Sequence, residues 1–282
     1  MPSVGIVTDS STCIPRDFAR ERGIGVGSVA VTMEGDTYVD GVTLLPEDLY
    51  GHIERGAHVV SSAVNLGEFE QAMEELLQSR QSLVGVLLGE TLSATRRNFQ
   101  MAAASFEDRQ IASVETGGAA MGLGAIALET ARHANAGADF ERVQEVARQA
   151  VEGHRTYVVT PNLKGLIDIA RLSGSPETFD SFKGYLAILK IGEGRIAPVG
   201  KAKDDDEAIR DVVEQLAAET AAGRPHVAII GHARAEKQAA QLLRAAKARM
   251  SIDEAHTFLN TATVTAVIGL GSYGIGVAPR ID

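Results

Sequence analysis

The sequence has no tryptophan and one cysteine, Cys13. A lone cysteine excludes internal disulfides and any cysteine-based structural zinc site, and it is in keeping with a reducing, cytoplasmic setting. Without tryptophan there is no indole anchor or stacking platform. Only 8 prolines stand against 29 glycines, with 45% of the residues hydrophobic and 23% charged, which is the balance of a folded globular chain and not of a disordered or collagen-like one. Positive charge is in deficit: 27 Lys+Arg against 37 Asp+Glu give −10, so no broad footprint for nucleic acid or anionic lipid is expected. A long lipid-compatible run is missing too. The nearest imitation, Phe258 to Pro279, is uncharged but holds four glycines, four Thr/Ser and an asparagine, and its alternation of Ala262, Val264, Ala266 and Ile268 reads as a strand. The first residues, through Asp9 and Arg16, lack the basic start, apolar centre and cleavage site of a secretory signal. No transmembrane segment and a cytoplasmic location are therefore expected.

A length of 282 residues suggests one large or two ordinary domains. The first half alternates short apolar runs (Val4–Thr8, Val26–Val31, Leu83–Leu88, Gln110–Val114) with helical stretches at Pro15–Arg22, Pro46–Arg55, Glu68–Gln78, Ser93–Ala104 and Ala119–Ala134. That alternation predicts strand–helix units feeding a mainly parallel sheet. Phe69, Ala72, Met73, Leu76 and Leu77 put one apolar stripe on a helix, and Phe140, Val143, Val146, Ala147 and Ala150 put one on another that ends at Gly153. In the second half, Leu186–Ile191 and Arg195–Ala202 flank Gly192-Glu193-Gly194, the pattern of an antiparallel hairpin. The acids Asp204–Glu207 open a helix at its positive end, and strands are predicted at His226–Gly231, Thr257–Asn260, Val264–Ile268 and Ile275–Ala278. The expected fold class is thus α/β with two domains. Residues 1–154 form an N-terminal domain with a mainly parallel sheet and flanking helices, and residues 155–282 a C-terminal domain with a mixed or antiparallel sheet.

Gly269-Leu270-Gly271-Ser272-Tyr273-Gly274 spells a dinucleotide fingerprint, but the long helix and distal acid that give the motif its chemistry cannot fit before residue 282, so it reads as a turn. The seven histidines show no ligand-like spacing, and no catalytic residues, metal site or cofactor are predicted. Three polar clusters fall where strands should end, the place at which open α/β sheets present ligand-binding groups. Asp9, in Thr8-Asp9-Ser10-Ser11-Thr12, is a turn residue or a general base. Ser61 and Ser62, before the helix near Gly67, are caps or ligand donors. Ser93, in Leu92-Ser93-Ala94-Thr95, is a cap or part of an anion site at a helix start.

Taken in order, Val7–Thr12, Tyr38–Val42 with Pro46–Tyr50, Ser61-Ser62 before Gly67-Glu68-Phe69, and Leu92–Thr95 resemble the DegV family of bacterial fatty-acid-binding proteins. Tyr157-Val158-Val159, Arg171-Leu172-Ser173, Gly194–Val199 and Val267-Ile268-Gly269 extend the resemblance over nearly the whole chain. It implies two α/β domains with a long-chain fatty acid buried between them. For the branch that serves fatty acid kinase, it also implies presentation of the acid to a separate kinase subunit. Carried over by position, Ser61 stands for a threonine that touches the carboxylate, with Ser62 beside it. Ser93 is the serine of a Ser-Gly-Thr motif that binds through hydroxyl and backbone N–H, with Ala94 in place of the glycine. Arg171 aligns with an arginine of the kinase contact, and Lys203 stands where another arginine often sits. The family's Thr-His-Thr-Gly-Pro-Gly is replaced by Leu270–Gly274, so its head-group histidine is missing. The competing expectations are a small-acid or phosphate enzyme using Asp9 and Ser93, and an interaction protein whose pocket is filled by side chains.

Overall fold

The computed structural model describes residues 3–282; residues 1 and 2, with which the expected N-terminal domain begins, lie outside the described residues. The first half runs β1 (Val4–Asp9), α1 (Arg16–Glu21), β2 (Ile24–Gly27), β3 (Ala30–Met33), β4 (Asp36–Val39), α2 (Pro46–Glu54), β5 (Val59–Ser61), α3 (Leu66–Leu77), β6 (Ser82–Val86), α4 (Thr95–Ala103), β7 (Gln110–Val114), α5 (Ala120–Asn135) and α6 (Phe140–Gly153). The second runs β8 (Arg155–Thr160), α7 (Lys164–Asp168), α8 (Pro176–Asp180), β9 (Leu186–Gly192), β10 (Arg195–Ala202), α9 (Asp205–Glu219), β11 (His226–His232), α10 (Glu236–Arg249), β12 (Ile252–Leu259), α11 (Ala262–Ile268) and β13 (Tyr273–Pro279).

Local chemistry accounts for the best-predicted elements. Helix α3 starts where Asn65 accepts from the Glu68 amide, α6 where Asp139 accepts from Arg142, and α9 where Asp204 accepts from Glu207. Each then buries the apolar stripe that its spacing prescribes. The strands build a four-stranded sheet in the order β2-β1-β6-β7, parallel throughout, and a six-stranded sheet in the order β10-β9-β8-β13-β11-β12, in which only β11 and β12 run parallel. The fold is therefore α/β with one parallel and one mixed large sheet and a small antiparallel one.

Two predicted strands are corrected. Val26–Val31 is split between β2 and β3, which belong to different sheets, β3 lying in a third one of order β4-β3-β5. The break has a cause: the Ser28 amide donates to Glu68 and the Val29 amide to Ser10 Oγ, so neither is free to extend the first ladder. Val264–Ile268 lies in helix α11 and not in a strand. Asp40 accepts from the Ala262 and Thr263 amides at 3.0 and 3.2 Å, while Thr261 caps the helix from within the chain. These caps override the strand preference of Val264, Thr265, Val267 and Ile268.

Helix α5 joins the two large sheets. Its sequence is rich in glycine and alanine, which lets backbones approach on both sides: a Cβ on Gly124 would lie 2.6 Å from the Thr12 carbonyl, and one on Gly276 of β13 would lie 2.1 Å from the Gly122 amide. One apolar core accordingly runs from Ile6 and Val84 through Met121 and Ile126 to Val158 and Ile229. Gly276→Ala is expected to lower unfolding free energy by about 3 kcal/mol, because the methyl group meets backbone atoms that cannot rotate away. Urea titration of the variant checks this, and a loss within 0.5 kcal/mol would show that the helix can shift at about the cost of an ordinary surface change.

His154 sits between α6 and β8, buried, with Nδ1 facing the Val151 carbonyl at 2.5 Å. Burial holds its imidazole below the ordinary histidine range, as it does for His226 and His232. The unfolded chain then binds protons that the folded one refuses, so stability is full above about pH 6.5 and falls as pH drops through that value. Denaturant titrations from pH 7.5 to 5 should show this slope. His154→Gln should make it shallower by up to about 1.4 kcal/mol per pH unit.

Candidate functional site

The C-terminal ends of the parallel strands open onto the second half of the molecule, and a cavity of about 340 Å³ lies there, within the roughly 300–1,000 Å³ range of small-molecule sites. Ser11, Leu88 and Ala119 follow β1, β6 and β7 and line it from one side. Ile191 of β9, Ile196 of β10, and Thr263, Val264, Val267 and Ile268 of α11 line it from the other. The walls are mainly aliphatic, with hydroxyls from separate segments set among them.

Ser61, Ser62, Ser93, Ala94 and Arg171 all line this one cavity. Ser61 ends β5, where Val31 pairs with it across the ladder, and its hydroxyl has no hydrogen-bonding partner among the described residues. Ser62 donates its amide to the Ala30 carbonyl and its hydroxyl to the Ala63 carbonyl. The loop after them is stitched to α4: the Val64 amide donates to Thr95 Oγ1, and Asn98 Nδ2 donates to the Val64 carbonyl at 2.8 Å. Ser93 precedes the helix by two residues, not at its first turn as expected, and its Oγ accepts from the Thr95 amide at 3.2 Å and lies 2.9 Å from Thr95 Oγ1. Its own amide is taken by the Gly89 carbonyl at 3.1 Å. The amide of Ser93 itself is thus already used, which leaves its hydroxyl; the Ala94 amide makes no such bond to a carbonyl among the described residues.

Arg171 is the basic residue on the cavity wall, exposed and in no ion pair among the described residues. Lys203 does not line the cavity. It lies exposed just before α9, with its amide donating to Glu207.

Asp9 is not on the cavity wall. One of its carboxyl oxygens accepts from the Ser11 amide and hydroxyl, and the other accepts from the Leu88 amide, which ties the end of β1 to the end of β6. Burial pushes its carboxyl above the usual carboxylate range, against the pull of these donors, and the charge of Asp40 adds to the rise. A general base needs reach to its substrate; Asp9 is fully buried with both oxygens engaged, and it meets the cavity only through the Ser11 hydroxyl. The Cys13 thiol is also buried and pushed up to about 12, far from nucleophilic. Among the described residues no three His, Cys, Asp or Glu side chains converge as a metal site, and no helix is long and apolar enough to cross a membrane.

Sequence reasoning missed the α11 wall, and within the first polar cluster it singled out Asp9 where Ser11 is the residue that reaches the cavity. Thr263, Val264, Val267 and Ile268 have the i, i+1, i+4, i+5 spacing of a helix face, a signal hidden by the alternation that suggested a strand. Gly269 and Gly271, both at positive φ, form the turn that leads from α11 into β13, as expected of the false dinucleotide motif.

A family model described as "Uncharacterised protein, DegV family" matches residues 3–280. A DegV domain-containing protein of Clostridium perfringens is 26% identical over 283 residues, covering 98% of each chain. Among solved structures, a DegV family protein from Thermus thermophilus, described by its fatty acid binding, superposes with a TM-score of 0.89 at 22% identity over 98% of this chain and 99% of that one. DegV of Bacillus subtilis, described as a fatty acid binding protein, gives 0.85 at 21% identity over 99% and 100%. A DegV family protein from Eubacterium eligens loaded with heptadecanoic acid gives 0.86 at 13% identity over 98% and 99%. At these identities the likeness to solved structures is one of fold.

Proposed function

The chain belongs to the DegV family, and from that premise we propose that it binds a long-chain fatty acid in a tunnel formed by the cavity between its two halves. The tail lies against the aliphatic wall and the carboxyl group meets the hydroxyls of Ser61, Ser62 and Ser93 beside Ala94. The observation that carries this reading is the convergence of those four residues, from β5 and from the loop before α4, on one mainly apolar cavity. Relatives of the same fold described as fatty-acid binding support it.

The energetics agree. About 14 methylenes of a C16 chain, at roughly 0.8 kcal/mol each, offer on the order of 11 kcal/mol before association and ordering costs. A carboxyl group in such a cleft needs donors, a cation or a proton; the serine hydroxyls supply the first, with Ser62 having to release the Ala63 carbonyl to do so, and Arg171 the second. We take residues 1–154 and 155–282 as the two lobes. The protein acts in the cytoplasm, where its single cysteine stays reduced, and it is not catalytic alone. Arg171 at the cavity and Lys203 on the surface are the basic residues with which it would meet a fatty acid kinase subunit.

Native mass spectrometry of the full chain purified from a bacterial host should show the mass of one long-chain acid. Protein without lipid that turns over a small acid or phosphate would overturn the reading. Ser93→Ala should weaken binding about tenfold in a fluorescent fatty-acid displacement assay, the worth of one hydrogen bond to a polar head group, whereas Ser105→Ala on the outer face of the first half should leave it unchanged. Equal effects would refute the head-group assignment.

A further inference from the structure

Ser11 is the one residue of the first strand-end cluster that reaches the cavity. It is 4% exposed, and its position is set by a carboxyl group behind it: Asp9 Oδ1 lies 3.0 Å from the Ser11 amide and 2.5 Å from its hydroxyl, while Asp9 Oδ2 takes the Leu88 amide at 2.8 Å. In that contact the Ser11 hydroxyl is the donor and the Asp9 carboxyl oxygen the acceptor. A hydroxyl has one proton and two lone pairs. With the proton turned back toward Asp9, what Ser11 offers the cavity is a lone pair.

The cavity's hydroxyls then differ in kind. Ser61 has a proton with no acceptor among the described residues and is suited to donate, while Ser93 accepts from the Thr95 amide and shares its hydroxyl with Thr95 Oγ1 at 2.9 Å, where either atom can be the donor. Ser11 is suited to accept. A neutral carboxylic acid has both halves of that pattern, a carbonyl oxygen to receive and an O–H to give. An alcohol has the O–H, and an ester has only acceptors. The charge nearby points the same way: Asp9, with Asp40 beyond it, stands behind Ser11, while the cation on the wall, Arg171, comes from the segment after α7 in the second half.

We propose that Ser11, oriented by Asp9, is a head-group acceptor that selects lipids whose polar end carries a proton to donate, protonated acids and alcohols over esters. The inference rests on the fatty-acid reading given above and names the head-group chemistry of that same site. Ser11 touches the ligand; Asp9 is a positioning residue.

Dodecanoic acid, 1-dodecanol and methyl dodecanoate, titrated by calorimetry into the delipidated full chain, separate the possibilities. In the wild type, dodecanol should bind at least tenfold more tightly than the ester, although the ester carries more apolar surface. Ser11→Ala should weaken the acid and the alcohol about tenfold and the ester less than twofold, and Ser11→Thr should restore both. An equal loss for all three ligands means a structural role, or a proton lying on Asp9 that turns Ser11 into a donor, and overturns the proposal while leaving lipid binding in place. The wild-type comparison decides it even if Ser11→Ala does not fold: no preference for the alcohol refutes it. Failure of all three ligands to bind the wild type overturns the underlying reading as well.

Discussion

Glu129→Ala is expected to lower the unfolding free energy by about 3 kcal/mol, since taking one partner from a buried charge network leaves the others without compensation. Glu129 lies on α5 with its side chain 0% exposed. It accepts from Arg132 Nε and Nη2 at 3.1 and 2.6 Å, from Arg280 Nη1 at 2.8 Å and from the Ile281 amide at 2.8 Å. Arg280 also holds Asp253 and Glu254, which is why the lower end of the usual range applies. The carboxylate therefore clamps the end of the chain, just beyond β13, onto α5. Burial alone would raise its pKa, but the donors from Arg132, Ile281 and Arg280 outweigh it and hold the group below the usual carboxylate range. A lowered carboxylate contributes stability above its unfolded pKa and loses it as pH falls through the folded value. The gap between wild type and variant in urea should thus be widest at neutral pH and close below about pH 4.5. Hydrogen exchange should report the same event as faster exchange of the Ile281 amide. A deficit under about 1 kcal/mol at pH 7 would mean that Asp253 and Glu254 suffice as partners, as exposed ion pairs would.

Val267→Trp is expected to weaken fatty-acid binding about 200-fold with the fold intact. Val267 lies half-buried on the cavity face of α11. The helix is pinned at its start by Asp40 and backed by α7, where a Cβ on Gly165 would lie 2.4 Å from the Val267 carbonyl, so it cannot retreat from a larger side chain. The indole must enter the cavity. Excluding about four methylenes of the tail at roughly 0.8 kcal/mol each forfeits about 3 kcal/mol, or some 200-fold in Kd. Calorimetry with dodecanoic acid and far-ultraviolet circular dichroism check the two halves of this expectation. Affinity within threefold of wild type, in a folded variant, would place the tail elsewhere.

Where the amino-acid pattern and the local chemistry agree, the fold was legible before the structure. The stripe Phe69, Ala72, Met73 follows a real cap at Asn65, the acids at Asp204–Glu207 open α9, and Leu186–Ala202 forms the hairpin. Legibility failed where distant residues overrule local preference. The strand reading of Val264–Ile268 was reasonable for a β-branched run. What makes it a helix is Asp40, more than 200 residues earlier, a partner that no window of sequence contains. The same holds at Val26–Val31, broken by Glu68 and Ser10.

The candidate site divides in the same way. Strand ends in a parallel sheet present loops on one side, a rule of chain geometry that needs only the periodicity of the first half, and it accounts for the segments at Ser11 and Ser93, whereas Ser61 ends a strand of the small antiparallel sheet. Which atoms of those segments are free is another matter. Only the folded chain spends the Ser93 amide on Gly89, buries Asp9 behind Ser11 and brings Arg171 to the cavity while leaving Lys203 outside it. By itself the sequence determined the sheet type, most of the helices and the segments that bear the hydroxyls, because those follow from side-chain spacing and caps within a few residues. The cavity, the α11 wall and the donor or acceptor role of each hydroxyl were decided by tertiary structure, because a hydrogen bond already made to a distant partner cannot be offered to a ligand.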